Sequence, residues 1–290
     1  MFDSSIIKMR KKIQRKFHSI YGKIQGNSIN TFWYLKNKNF GDLLNPDILR
    51  YYGFTPLNIS KNAADVITSG SILQSLPKSF SGYIIGSGLI DDRKLELPNA
   101  KILSVRGELT RERINANKNT PLGDPGLLIS LIYPKREEKI YILGIVPHYI
   151  DKKNATIQKI QKRYPREIKI IDVQRKPQKV VNEIDQCENI LSSSLHGVIA
   201  ADSLSIRNGW LQLSQKVRGG GFKFYDYASA LDRSINPHFL SGEETLSQLI
   251  EMTRIINYDV SQRRSILDEI FKKFAREFPN ELRENLLSTQ

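Results

Sequence analysis

Ile190-Leu191-Ser192-Ser193-Ser194-Leu195-His196-Gly197 passes from the apolar end of a strand, through three hydroxyl side chains, into a helix that apolar residues continue to Leu204. The same succession recurs along most of the chain. Upstream, Thr31 to Leu35 reads as a strand, and Asp42 stands where a helix N-cap would, before a helix over Leu43 to Tyr52. Short apolar runs follow at Ala64 to Thr68, Tyr83 to Ile85 and Ile102 to Val105. Each ends in small or polar residues: Ser69-Gly70-Ser71, Gly86-Ser87-Gly88 and Arg106-Gly107. In the loop Leu122-Gly123-Asp124-Pro125-Gly126, Pro125 suits the first turn of a helix. Repetition of this unit predicts an α/β fold with mostly parallel sheets covered on both faces.

Pro134-Lys135-Arg136-Glu137-Glu138 is a charge-dense interruption between apolar runs and is expected to link two domains. The rhythm then restarts with a strand over Ile140 to Val146, the turn Pro147-His148-Tyr149-Ile150-Asp151, and a helix from Asn154 to Arg163. A strand over Ile168 to Val173, a helix over Gln178 to Cys187 and a strand over Trp210 to Leu213 are expected next. Gly219-Gly220-Gly221 precedes a helix over Phe222 to Leu231, and Ser241 with Glu244 has the spacing of a capping box opening a helix through Ile256. An amphipathic helix over Val260 to Phe278 follows, with a frayed tail after Pro279. A length of 290 residues fits two domains. The expected division is an N-terminal helix (1–26), two α/β domains (27–133 and 139–245) and C-terminal helices (246–290). Ligands of such sheets bind in the cleft beyond the carboxyl ends of the strands.

Composition narrows the partners. The apolar fraction of 40% sets disorder aside, and Lys plus Arg outnumber Asp plus Glu by 44 to 30, so the surface attracts polyanions. Nucleic acid, an anionic membrane and phosphorylated substrates all fit that charge. The single cysteine, Cys187, excludes an internal disulfide, suits a reducing compartment and is expected to pack rather than react. No apolar run is long enough to span a bilayer, and the N-terminal residues lack the apolar core of a signal peptide, so a cytoplasmic protein is expected. Phe2, Ile6, Met9, Ile13, Phe17, Ile20 and Ile24 recur at steps of three and four, with Lys8, Arg10, Lys11, Lys12, Arg15, Lys16 and Lys23 around them. Residues 2–24 therefore form a basic amphipathic helix, which either lies on the inner face of an anionic membrane or packs on the domain with a solvated basic face. One cysteine and four scattered histidines make no zinc set, so no metal is expected. No P-loop or complete dinucleotide fingerprint is present.

The serine turn is the leading site candidate because hydroxyls and backbone amides converge where a helix begins and its dipole favours an anion. Ser192, Ser193 and Ser194 would take phosphate or carboxylate, with His196 in the first helical turn and Gly197 permitting close approach. The alternative is an ordinary serine cap. Asp42, in Asn39-Phe40-Gly41-Asp42, is a general base or an N-cap, and Arg106 either clamps an anion or pairs with Glu108. Asp124 reads as a turn and cap residue, and His148 lines the cleft or lies on the surface. Lys223 and Asp226, following the triple glycine, either fold over a ligand or sit on a helix surface, and Arg218 contacts phosphate or is solvated.

Taken in order, these turns resemble the polysaccharide pyruvyl transferase family. The matching stretches are Asn39 to Pro46, Ser69 to Leu73, Gly86-Ser87-Gly88, Val105 to Leu109, Gly123 to Leu128, Pro147-His148-Tyr149, Ser192 to Gly197 and Phe222 to Tyr227, spanning residues 30–235. The resemblance implies two Rossmann-like domains facing a cleft, like B-type glycosyltransferases. It also implies transfer of pyruvate from phosphoenolpyruvate to two sugar hydroxyls as a cyclic ketal, with no cofactor beyond that co-substrate. The family's essential positions map to Asp42, Arg106 and His196; Asn39, Ser87, Asp124, His148 and Asp226 are expected to contact the acceptor or line the cleft. Where some members carry Arg before Leu-His, this chain has Ser194, and Arg218 or Lys223 is the expected replacement. The implied acceptor is a bacterial surface polysaccharide or its polyprenyl-diphosphate-linked precursor. The alternative enzyme is a nucleotide-sugar-dependent glycosyltransferase. A nucleic-acid partner is not expected, because the charges are dispersed and no RNA-reading aromatic motif is present.

Overall fold

A computed structural model describes residues 27–253 and 260–288; the amphipathic stripe of residues 2–24 lies outside them. The first half opens with β1 (Ser28–Thr31), α1 (Phe40–Tyr51) and β2 (Thr55–Asn58). Then come β3 (Val66–Ile67), β4 (Tyr83–Ile85), β5 (Lys101–Ser104), α2 (Glu108–Arg113) and α3 (Ile129–Ile132). Their strands form one parallel sheet in the order β2-β1-β3-β4-β5. The second half holds β6 (Tyr141–Val146), α4 (Ala155–Arg163), β7 (Ile168–Ile170), α5 (Pro177–Asp185), β8 (Cys187–Ser192), α6 (Leu195–Ser203) and β9 (Arg207–Trp210). Its four strands form a second parallel sheet in the order β7-β6-β8-β9. Helices α7 (Phe222–Ser229), α8 (Leu246–Glu251) and α9 (Val260–Ser288) complete the chain. The expected α/β class with parallel sheets is what the structure has.

One large cluster of buried side chains joins the halves, including Ile29, Phe40 and Leu44 from the first and Val146, Val180 and Ile199 from the second. Helix α9 returns to the first half, where Phe271 stacks on Tyr52, Phe274 packs on Phe54 and Tyr83, and Tyr52 donates to Asp268. Among the described residues no helix is long and apolar enough to cross a membrane.

Several element boundaries differ from expectation. The strand expected over Thr31 to Leu35 lies three residues earlier, because Ser28 to Thr31 pair with Thr55 to Asn58. Beyond that ladder Trp33 N–H bonds only to the Asn58 side chain, and Tyr34 and Leu35 are exposed. The cap of α1 is Asn39 rather than Asp42, which falls in the first turn where a carboxylate meets the positive helix end. Cys187 opens β8 opposite Tyr141 instead of closing a helix, and the strand expected over Trp210 to Leu213 ends at Trp210, paired with Ser192. Glu244 does accept from Ser241 and Gly242, but this stabilises a turn. The capping box that opens α8 is Thr245 with Gln248. Helix α9 continues to Ser288, past the expected end at Phe278.

Candidate active site

In the first sheet the strand order switches direction between β1 and β3, and in the second between β6 and β8. At such points the loops leaving adjacent strands diverge to opposite faces and open a crevice at the carboxyl ends. The carboxyl ends of these four strands, with the loops and helix starts that follow them, carry Asn39 and Asp42, Ser69 to Ser71, His148, and Ser192 to His196. Side chains from the two sets of turns meet across the halves. A Cβ on Gly41 would lie 2.1 Å from His196 Nδ1, so the imidazole rests on the first turn of α1 and the amino ends of α1 and α6 meet. Two helix dipoles thus point their positive ends at one place, an arrangement that attracts an anion.

His196 is buried, and its Nε2 lies 2.9 Å from Ser69 Oγ, which donates to Asp124 Oδ1 at 3.0 Å. With the serine proton committed to the carboxylate, Nε2 must carry its own proton toward Ser69. In the neutral ring that leaves Nδ1 as the nitrogen without a proton. Asp124 also caps the turn over Pro125–Leu128 by accepting from Gly126 N–H. Burial opposes its ionisation, but His196, the Gly126 amide and Arg106 together hold the carboxyl below its ordinary range. The turn-and-cap reading of Asp124 is therefore right but incomplete, since the same carboxylate orients the histidine. Ser69, the intermediary, was legible only as part of the Ser69-Gly70-Ser71 turn.

Asp42 faces the same space, its Oδ1 in contact range of Gly70 and its Oδ2 accepting from Asn39 Nδ2 at 3.3 Å. Burial pushes the Asp42 carboxyl up from its ordinary value, against the pull of His196, Asn39 and Lys223. A raised carboxyl near a histidine is the pairing that proton transfer requires. Asn45, one turn along α1, bonds to Ser69 O and to Thr68 Oγ1, locking the β3 turn to the helix that carries Asp42.

Arg106 is fully buried and does not pair with Glu108, which engages Arg111 instead. Its Nε donates to Asp226 at 2.8 Å, Nη1 to Ser71 Oγ at 2.7 Å and Nη2 to Leu89 O. Asp226 is equally buried and also accepts from Thr110 N–H and Thr110 Oγ1, so it is neither exposed on a helix surface nor folded over the cleft. Gly88 and Gly107 are small because the guanidinium and the Asp226 carbonyl occupy the space a Cβ would take. Ser87 is committed to the same turn, donating to Gly70 O and accepting Arg106 N–H at its carbonyl.

The serine turn divides its labour. Ser192 Oγ is engaged with Val146 O, Ser194 O and Ser194 N–H, and Gly197 is small because a Cβ there would strike that hydroxyl at 2.3 Å. Both residues shape the turn. Ser193 Oγ accepts from His148 N–H, coupling the β8 and β6 loops. Ser194 caps α6 without a side-chain cap bond, and its hydroxyl makes no hydrogen bond among the described residues.

Lys223 is buried, not on a helix surface, and its ammonium makes no hydrogen bond among the described residues; it lies 5.7 Å from the Phe224 ring centroid. Burial and Arg106 push its pKa down to about 8, against Asp42 and Asp151. His148 is also buried rather than superficial, and burial together with Lys223 pushes its pKa down to about 4. Arg218 is exposed and its charge is felt by Asp91, while the adjacent Gly219 sits against the Ile90 carbonyl. Arg218 therefore lies on the rim near the loop after Gly88. Among the described residues no group of three or more His, Cys, Asp or Glu side chains is arranged to hold a metal ion.

Known proteins place this constellation in context. The uncharacterized protein L143 of Acanthamoeba polyphaga mimivirus is 33% identical over 168 residues, 55% of this chain and 58% of the viral protein. This chain thus spans under two thirds of that relative's length. The succinoglycan biosynthesis protein ExoV of Rhizobium meliloti (strain 1021) is 26% identical over 243 residues, 79% of this chain and 72% of its own. No solved structure matches. The family model described as polysaccharide pyruvyl transferase matches residues 23–211, well over half of the chain. That span contains the turns carrying Asp42, Ser69, Arg106, Asp124, His148 and His196, and the chain belongs to the polysaccharide pyruvyl transferase family.

Proposed function

We propose that this protein transfers pyruvate from phosphoenolpyruvate to two hydroxyls of a sugar, forming a cyclic ketal on a surface polysaccharide or its lipid-linked precursor. The observation that carries this reading is the meeting of the His196–Ser69–Asp124 chain with Asp42, Lys223 and Arg106 at the joined amino ends of α1 and α6. The donor is a trianion, and two helix dipoles with the buried Lys223 ammonium, which makes no hydrogen bond among the described residues, suit it. The two parallel sheets also fit facing Rossmann-like domains of the B-type glycosyltransferase kind. The name of ExoV, a protein of succinoglycan biosynthesis, supports an acceptor in polysaccharide assembly.

In this mechanism His196 delivers a proton from Nδ1 to the methylene carbon of phosphoenolpyruvate while a sugar hydroxyl attacks the adjacent carbon. Asp42 accepts the proton of that hydroxyl. Loss of phosphate and attack by the second hydroxyl close the ketal. Ser69 and Asp124 hold the imidazole in the required tautomer, and the positive charges of Lys223 and Arg106 stabilise the donor's anionic groups. Arg106 contributes largely by its field and by fixing the Ser71 turn, since its Nε, Nη1 and Nη2 are already engaged. An enzyme acting at the inner face of the membrane, with residues 2–24 as its surface contact, would meet polyprenyl-diphosphate-linked acceptors.

The test is incubation with phosphoenolpyruvate and candidate glycosides, following acceptor-dependent phosphate release and an acid-labile pyruvate adduct. His196→Ala should lower turnover by about a hundredfold or more, as loss of a positioned acid does. Tight binding of uridine diphosphate without binding of phosphoenolpyruvate would instead make the protein a nucleotide-sugar-dependent glycosyltransferase.

A further inference from the structure

Ketal formation has a proton balance that the residues named so far do not complete. Two acceptor hydroxyls each lose a proton; one proton ends on the new methyl group and the other leaves with phosphate as hydrogen phosphate. His196 and Asp42 account for the first. The second hydroxyl attacks after phosphate has been lost, and a second proton acceptor is needed where that hydroxyl lies.

Asp151 sits in the loop leaving β6, at the carboxyl edge of the second sheet, in the short turn over Tyr149–Asp151. It is 5% exposed. One carboxylate oxygen, Oδ1, accepts from Ser214 Oγ at 2.6 Å, while Oδ2 is buried without a hydrogen-bond partner among the described residues. A buried carboxylate oxygen left open costs stability, so its retention calls for a ligand or a chemical role. The turn that carries Asp151 is pinned on both sides. Asp151 N–H bonds to His148 O and Asn154 N–H to Asp151 O, while His148 N–H is held by Ser193 of the serine turn. The charges of Asp42 and Asp151, which come from opposite halves of the chain, both act on the Lys223 ammonium. The charge of the same ammonium also acts on His148.

We infer that Asp151 is an acceptor-binding and catalytic residue, whose open carboxylate oxygen takes the proton of the second sugar hydroxyl as it attacks the pyruvyl carbon. This rests on the ketal-forming reading above. The new bond joins the second oxygen to the donor carbon that bore the phosphate, the O–H bond breaks toward Asp151 Oδ2, and the proton passes from there to the departed phosphate. Ser214 is a positioning residue, holding Oδ1 and leaving Oδ2 unengaged.

The experiment compares the wild-type chain with Asp151→Asn, which keeps the shape, and Ser214→Ala, which loosens the carboxylate. Binding of phosphoenolpyruvate is measured by calorimetry, and turnover by phosphate release with methyl glucoside, methyl galactoside and methyl mannoside. The expected result for Asp151→Asn is unchanged donor affinity with kcat/KM for the acceptor lowered about a hundredfold or more. Ser214→Ala should shift the acceptor KM with donor affinity intact. Asp151→Asn turning over within about threefold of wild type overturns the assignment. If the wild-type chain releases no phosphate with any diol, the ketal reading fails, and Asp151 is judged on glycoside binding alone by saturation-transfer NMR. Binding lost in Asp151→Asn then upholds it as a sugar-binding residue, and binding retained, or absent from wild type, overturns it.

Discussion

Gly41→Ala is the sharpest perturbation of the site, because it adds one methyl group at a position whose neighbour is known. That methyl would lie 2.1 Å from His196 Nδ1 and 2.3 Å from Cε1, where ordinary carbon contacts begin at 3.4 Å. The imidazole must therefore retreat by more than an ångström, which disturbs its 2.9 Å contact with Ser69. Alanine favours a helix over glycine by about 1 kcal/mol, whereas overpacking costs about 1–3 kcal/mol. The net loss of stability is then roughly 0–2 kcal/mol, and the variant should remain folded. Misplacing a catalytic group by about 1 Å costs on the order of a hundredfold in rate, so turnover should fall by that factor while thermal denaturation shifts little. Phosphate release under saturating donor measures it. Because the effect acts through His196, Gly41→Ala combined with His196→Ala should be no slower than His196→Ala alone. Turnover of Gly41→Ala within about threefold of wild type would refute the placement of the imidazole and its role.

Other consequences follow from buried charge. Asp226→Asn leaves Arg106 without its partner in a fully buried site, and should destabilise the fold by about 3–5 kcal/mol, read as a lowered denaturation midpoint. Lys223 has a folded pKa of about 8, below the ordinary 10.5, so the unfolded chain binds more protons between those values and stability rises with pH across that window. Lys223→Met should accordingly raise Tm at neutral pH, with the gain shrinking toward pH 10, while donor binding measured by calorimetry weakens. For His148, whose folded pKa is about 4 against an ordinary 6.5, stability should fall as pH drops through that interval, and His148→Phe should flatten this part of the Tm profile. Cys187 is buried with its thiol pushed up to about 12, so a thiol reagent at pH 8 should label it only after denaturant is added.

The parallel α/β architecture was legible because strands buried on both faces must be apolar while their carboxyl ends must turn. The run Tyr83 to Ile85 and the helix from Asn154 to Arg163 carry their own boundaries. In the second case Asn154 caps the helix by accepting from Thr156 and Ile157 N–H. By contrast β2 was missed, since an edge strand of half-buried residues containing Pro56 has no apolar run to announce it. The position of β1 depends on that hidden partner, and the misreading of Thr31 to Leu35 as its span follows from the same omission.

His196, Asp42 and Arg106 could be picked out from turns at predicted strand ends, and their order along the chain already resembled the family. What the chain alone determined is which residue types stand at the carboxyl ends of its strands, because periodicity and turn chemistry are local. Tertiary structure decided the partnerships: Ser69 and Asp124 behind His196, Asp226 rather than Glu108 against Arg106, and Asp151 with one oxygen unpartnered among the described residues. Each joins residues from about 50 to more than 100 positions apart, or rests on burial made by both halves together. Charge pairing and desolvation depend on distances in space, and no local pattern of sequence encodes them.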